Sequence, residues 1–457
     1  MTQEILSVGI DVGTTTTQVI FSQLKLRNEA AGFSVPKIVI AEKTVLYQSA
    51  VHFTPLKSET VIDAQALREI VAAEYRAAGV QREAVQTGAV MITGETARRA
   101  NAKAVLHSLA DFAGDFVVAT AGPQLESILA GKGAGAQKRS KELRASVLNL
   151  DIGGGTTNFA RFHCGTLCDS GCLNVGGRLV CYDKAQTITY VSPVLRERCG
   201  LSVGDAASER ALTPVAERLA DILMQALGYC PKDAEFAHFI TDKTIETPGK
   251  DTLLSFSGGV GALMDAPDTD WTAYGDLGVL LARAILRRLP PDVHRLACPD
   301  AIRATVIGAG CHTTELSGST VFYRGISFPL QNLPAISLTQ EALALAPSVL
   351  QAQIAAQRAR YDTPCALAFP GLKNPSYAAL RQLADALAPT LHAGQPNVFV
   401  LQEDMAKALG QALDVRRRDA PILCLDGLFL PPDAYLDVGE PVAQGQALPV
   451  IVKTLIL

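Results

Sequence analysis

Two short stretches hold residues whose types and spacing could do chemistry. One is Asp151-Ile152-Gly153-Gly154-Gly155-Thr156, entered from an apolar run, Ala145 to Leu150, that reads as a buried strand. Consecutive glycines let the turn take backbone angles closed to other residues and let N–H groups approach a ligand with no Cβ in the way. A row of such N–H groups forms an anion-binding concavity. A carboxylate directly before it would repel a phosphate unless a cation lies between them. Phosphate with hydrated Mg2+ meets that condition, because Mg2+ keeps several waters and asks for few carboxylates. The other stretch, Gly9-Ile10-Asp11-Val12-Gly13-Thr14-Thr15, repeats the grammar of apolar strand, Asp, X, Gly near the N-terminus. Two like turns far apart in the chain imply two half-domains that grip a polyphosphate from opposite sides, with Asp11 and Asp151 as the metal-orienting carboxylates.

The elements that must position these turns follow from periodicity. Residues 5–12 read as a strand, Thr16 to Phe21 as its hairpin partner and Lys37 to Leu46 as a further strand. Asp63 to Ala78 has helical spacing with Asp63 at the N-cap. Ala89 to Thr93 and Phe116 to Ala121 read as buried strands, the latter running into a helix from Pro123. Gly131 to Lys141, glycine-rich and basic, reads as a flexible linker. Ala206 to Leu227 has the length of a long helix, and Leu253 to Ser257 reads as a strand entering the Gly258-Gly259 turn. Pro290-Pro291 marks a boundary. Thr305-Val306-Ile307 reads as a strand into a Gly308–Gly310 turn, with His312 beyond it. Helical stretches near 340–360, 376–391 and 403–413 then alternate with apolar strands at 365–369, 397–401 and 421–425, which is α/β patterning, and 438–452 reads as a closing hairpin.

Composition bounds the class. The chain has 457 residues, 48% hydrophobic and 19% charged, which suits roughly two to four globular domains. Net charge −4 and a pI near 6.0 argue against a nucleic-acid binder. No basic region followed by an apolar stretch marks a signal peptide, and no run reaches the roughly 18 apolar residues of a membrane span. The ten cysteines are scattered, as expected of reduced thiols in a cytoplasmic protein. Cys164, Cys168 and Cys172 lack the fourth partner that structural zinc requires and read as plain thiols.

The two glycine turns resemble the phosphate-1 and phosphate-2 loops of the actin, sugar kinase and heat-shock-70 ATPase superfamily. Pro123 to Gly131 is similar to its first hinge helix. The acidic residue that heat-shock relatives carry before that proline is replaced by Gly122, which leaves Gln124 and Glu126 as candidates for aligning a catalytic water. Asn158 stands where those relatives have an aspartate, which puts a monovalent-cation site in doubt. Gly258 and Gly259 resemble the adenosine turn, with Gly308–Gly310 as a rival, and Tyr274 to Ala282 resembles the second hinge helix. The resemblance implies an actin-like α/β ATPase fold: two ribonuclease-H-like halves (1–145 and 146–290) flanking a nucleotide cleft, plus a C-terminal α/β domain (291–457). It implies ATP and Mg2+. Gly13, Thr14, Thr15, Gly153, Gly154, Gly155 and Thr156 would hold the phosphates, and Gly258 and Gly259 the adenosine. Asp11 and Asp151 would orient the metal's waters.

Over its whole length, and most in the segments 274–281 and 307–320, the chain resembles the ethanolamine ammonia-lyase reactivating factors. That resemblance implies an ATP-using chaperone in the cytoplasm, associated with a bacterial microcompartment. It would release damaged cobalamin from ethanolamine ammonia-lyase so that intact adenosylcobalamin can bind. It implies neither a nucleic acid nor a membrane as partner and leaves self-association open. Two other classes remain: a small-molecule kinase using the same loops, and an actin-like filament protein.

Overall fold

The computed structural model describes residues 3–13, 16–29, 38–58, 61–93, 100–113, 117–120, 123–241, 243–249, 251–312, 315–317, 320–361, 363–430 and 434–454. Its first sheet holds β1 (Gln3–Val12), β2 (Thr16–Asn28), β3 (Ile38–Gln48), β4 (Thr87–Ile92) and β5 (Val117–Thr120) in the order β3-β2-β1-β4-β5. β1, β2 and β3 are antiparallel neighbours, and β1, β4 and β5 run parallel. The second sheet holds β6 (Ser146–Ile152), β7 (Thr157–His163), β8 (Thr166–Leu173), β9 (Leu253–Ser257) and β10 (Arg295–Leu296). Its order is β8-β7-β6-β9-β10, with the same alternation of antiparallel and parallel pairs. One plan is thus used twice, and each copy begins with a long hairpin whose first strand ends in Asp-X-Gly. This doubled plan around a cleft is the actin-like ATPase fold.

Burial explains which strands sit where. All six residues of β4 are buried, and β6 is buried from Val147 onward, as expected of strands covered on both faces. β3 is largely exposed and carries Lys25–Glu42 across its pairing with β2, the charged dress of a sheet edge. Helix α1 (Ala64–Ala78) is held at its start by Asp63, whose carboxylate accepts from the N–H groups of Gln65 and Ala66, and stops at Gly79 with φ +68°. It packs on the first sheet with α2 (Ala102–Ala113).

Several expectations need correction. The stretch expected to be a flexible linker is helical: α3 (Pro123–Gly133) runs through it, and after a left-handed turn at Gly135 the chain forms α4 (Ala136–Leu143). Its glycines serve contact: a Cβ on Gly133 would lie 1.8 Å from the carbonyl oxygen of Ala304. The second correction concerns the hinge. After the short helix α6 (Gly258–Leu263), helix α7 (Gly278–Arg288) lies in the core of the second half, against the long helix α5 (Glu209–Leu227). The helix that crosses α3 is α8 (Ala304–His312). Its β-branched start reads as a strand, but close packing overrides that weak preference. A Cβ on Gly308 would sit 2.1 Å from the Leu129 carbonyl, and one on Gly9 would sit 2.5 Å from the Gly310 nitrogen. Gly308 and Gly310 therefore form no adenosine-type turn. The second sheet also continues past Pro290-Pro291 to β10, and α8 then returns to pack on β1.

The remaining chain builds an eight-stranded sheet. It contains β11 (Glu315–Leu316), β12 (Val321–Arg324), β13 (Leu330–Ser337), β14 (Ala366–Phe369), β15 (Asn397–Leu401), β16 (Ile422–Leu425), β17 (Ala434–Val438) and β18 (Pro449–Thr454). Their order is β11-β18-β17-β13-β14-β15-β16-β12, and β13 to β16 run parallel. Helices α9 (Pro347–Arg358), α10 (Tyr377–Leu387) and α11 (Ala406–Arg416) connect the parallel strands and share their core. This unit meets the first half through Val442 and Ala447, which are buried with Ile5, Leu24, Leu26 and Ile38.

Candidate functional site

Each long hairpin delivers its aspartate to the same cleft. Asp11 stands opposite Gln18 in the β1–β2 register, and Asp151 stands opposite Asn158 in the β6–β7 register. Both turns close alike: the N–H of Gly13 donates to the Thr16 carbonyl at 2.8 Å, and that of Gly153 to the Thr156 carbonyl at 3.0 Å. Asp11, Gly13, Asp151, Gly153, Gly154, Gly155, Thr156, Gly258 and Gly259 all line one cleft of about 680 Å3. Thr14 and Thr15 lie outside the described residues.

The carboxylates are fixed by hydroxyls. Thr93 Oγ1 donates to Asp11 at 2.9 Å. Asp151 accepts from Ser257 Oγ at 2.6 Å and from Thr305 Oγ1 at 3.1 Å, and Asn149 Nδ2 donates to Ser257 Oγ at 2.9 Å. Asp151 is thus held by its own sheet and by the first turn of α8 at once. Loss of hydration pushes Asp11 up to about 7, against the Thr93 bond and with a further push from the Asp151 charge. Loss of hydration likewise raises Asp151, against the two hydroxyl bonds. Two acids gathered in a low-dielectric cleft favour a cation between them. Among the described residues no group of three or more His, Cys, Asp or Glu could hold a metal ion. Two carboxylates alone leave most ligand positions of a bound cation to water.

Around the carboxylates the walls are backbone. Gly176-Gly177 lies against the second loop: the N–H of Gly177 donates to the Gly153 carbonyl at 3.0 Å and that of Arg178 to the Gly154 carbonyl at 2.7 Å. A Cβ on Gly176 would fall 2.3 Å from the Gly154 oxygen. Gly258, at φ +81°, crosses so near β6 that a Cβ would meet the Ile152 carbonyl at 2.4 Å, whereas one on Gly259 would have no neighbour within 4 Å. Tyr274, 59% exposed, stands at the mouth of the cleft. Below it Asp276 accepts from the Gly278 N–H at 2.7 Å, with Arg178 Nη1 3.8 Å away. Burial pushes Asp276 up to about 6, opposed by the Gly278 N–H and the Arg178 charge.

The water-aligning candidates separate. Glu126 lines the cleft and accepts from Asn158 Nδ2 at 2.8 Å. Gln124 is exposed at the start of α3 and lines no part of the cleft. Sequence reasoning missed Thr93, Ser257 and Thr305 as partners of the aspartates. Each is an ordinary strand-end or helix-start hydroxyl, and only the fold brings it to a carboxylate.

The matches to known proteins run the length of the chain. The family model described as "Ethanolamine utilisation protein EutA" matches residues 3–457. The chain belongs to the EutA family. It is 37% identical over 468 residues to the ethanolamine ammonia-lyase reactivase EutA of Salmonella typhimurium, covering 99% of both chains. It is 36% identical over 466 residues to the protein of that name from Escherichia coli, again covering 99% of both. Similar solved structures include the ethanolamine utilization protein EutJ of Carboxydothermus hydrogenoformans, at TM-score 0.36 and 15% identity over 66% of this chain and 88% of that one. A PilM–PilN type IV pilus biogenesis complex matches at TM-score 0.38 and 13% identity, over 66% and 97%. The strand orders above, rather than these distant likenesses, define the fold. Among the described residues no helix is long and apolar enough to cross a membrane.

Proposed function

We propose that this EutA-family chain is an ATP-dependent reactivase of ethanolamine ammonia-lyase. The observation that carries the reading is the similarity to proteins of that name, 37% and 36% identical in alignments that span 99% of each chain. The cleft supports the ATP part. Backbone N–H groups of the Gly13 turn and of Gly154, Gly155 and Thr156 would hold phosphate oxygens from two sides. Asp11 and Asp151 would each accept from water on a shared cation, and Gly258-Gly259 would leave room for the nucleoside. Bound Mg2+ supplies charge neutralisation at the transferring phosphoryl group. Glu126, whose carboxylate accepts from Asn158, would orient a water. No covalent step falls to the protein, because positioning and charge carry phosphoryl transfer.

Work on the lyase follows from where the third unit sits. It is anchored to the first half through the Val442–Ala447 turn and joined to the second through α8. A change of cleft angle would therefore move any lyase surface docked on residues beyond 315. A partner opens the lyase by binding its open form more tightly than its closed form. The test uses lyase inactivated with a tight cobalamin analogue. The full chain with ATP, Mg2+ and free adenosylcobalamin should restore activity, and ATP should be hydrolysed slowly with no small-molecule acceptor present. Failure to restore activity, together with phosphate transfer to an added small molecule, would return the chain to the kinase class.

A further inference from the structure

Gln18 is the unexplained polar group in the cleft. The residue is 6% exposed, and its Oε1 is buried with no hydrogen-bond partner. A buried acceptor left unmade is costly and calls for an explanation. The other buried side-chain N and O atoms without a partner among the described residues belong to Ser7, Asn149, Arg161, Thr241 and Thr244, none of which lines the cleft. The orientation of the amide is settled by chemistry. Its other end faces the Ile302 carbonyl at 3.2 Å. Only nitrogen can donate to that oxygen, so Oε1 must be the end left over.

The repeat inside the fold sharpens the point. Asn158 occupies the matching position of the second hairpin and is satisfied at both ends: Oδ1 accepts from Ser127 at 3.3 Å and Nδ2 donates to Glu126 at 2.8 Å. Gln18 faces the same side of its sheet as Asp11, since directly opposed residues of an antiparallel pair share a face. Its free oxygen is therefore an acceptor beside one of two acids that already ask for a cation.

We infer that Gln18 Oε1 accepts a hydrogen bond from cation-bound water in the cleft, as a third oxygen with the carboxylates of Asp11 and Asp151. Gln18 is a positioning residue, and it also ties metal loading to the hinge. Ile302, which its nitrogen holds, lies just ahead of Thr305, which holds Asp151 at the start of α8. One short turn is thus read by both hairpins. The inference rests on the Mg2+·ATP reading of the cleft.

The test compares parent, Gln18→Met and Gln18→Glu as full chains. ATP binding is measured by calorimetry with and without MgCl2, and thermal melting is measured without nucleotide. Methionine keeps the length of the side chain and removes both amide ends, the stranded acceptor and the donor to the Ile302 carbonyl. The gain in ATP affinity given by Mg2+ should fall about tenfold or more in Gln18→Met, the scale of one hydrogen bond to a charged group, whatever the loss of the Ile302 bond does to the metal-free melting temperature. Gln18→Glu, with a charged acceptor, should enlarge the Mg2+ gain at pH 8. A purely structural glutamine gives a different pattern: Gln18→Met keeps the parent's Mg2+ gain at whatever temperature it melts, which overturns the inference. If Gln18→Met does not fold, Gln18→Glu decides, and an unchanged or smaller Mg2+ gain overturns it. A parent that gains nothing from Mg2+ fails the nucleotide reading itself, and the role of Gln18 with it.

Discussion

Gly308→Ala places a methyl group 2.1 Å from the carbonyl oxygen of Leu129, with the Leu129 carbonyl carbon at 2.5 Å. Both are backbone atoms of α3, so no side chain can swing aside. Ordinary contact begins at about 3.4 Å, so α3 and α8 must part by roughly an ångström. Overpacking of this kind costs about 1–3 kcal/mol, which urea unfolding should register. The larger effect should be catalytic. Thr305 on α8 holds Asp151 at 3.1 Å, and α3 carries Glu126. An ångström of misplacement costs about a hundredfold in rate. The assay is ATP hydrolysis at saturating Mg2+, with nucleotide affinity measured in parallel. The control is Gly249→Ala, whose added methyl meets nothing within 4 Å, and it should match the parent in both measures. If Gly308→Ala keeps the parent's stability and rate, α3 and α8 do not form the working crossing.

Three further outcomes follow from the site. Asp151→Asn keeps the acceptor for Ser257 and removes a carboxylate whose charged form burial disfavours; hydrolysis should fall by about a hundredfold or more while the metal-free protein melts no lower. Asp11 titrates near 7 in the metal-free fold, above its unfolded value. The stability it contributes is therefore complete below about pH 4 and is lost as pH rises through 7, and Mg2+ affinity should weaken about tenfold per unit below pH 7; melting curves and Mg2+ titrations of parent and Asp11→Asn check both slopes. Ser257→Ala strands the buried Asn149 amide and one Asp151 contact, and should cost about 1–3 kcal/mol in urea unfolding.

Much of this was legible in the sequence where local chemistry decides. Asp63 caps its helix because a short carboxylate before an apolar-periodic run has few other uses. The parallel strands of the last unit fall almost where their apolar runs lie, because both faces are covered. The Asp-X-Gly turns could be read because the same grammar occurs twice. What could not be read depends on contacts between distant segments. Gly131, Gly133 and Gly135 look like a linker until Ala304 arrives against Gly133. Thr305-Val306-Ile307 looks like a strand until Leu129 and Gly9 claim the faces of Gly308 and Gly310. Gln18 reads as one polar residue in a strand, and only the carbonyl of Ile302 shows which of its ends is left over.

The central claim is tested most directly by watching cobalamin leave the lyase. Ethanolamine ammonia-lyase is loaded with a coloured analogue that lacks the adenosyl group, mixed with the full chain, and passed through a desalting column after incubation. With ATP and Mg2+ the analogue should separate from the lyase. Without nucleotide, or with Asp151→Asn in place of the parent, it should remain bound. Release that is equally fast without ATP, or retention despite ATP hydrolysis by the parent, would contradict the account.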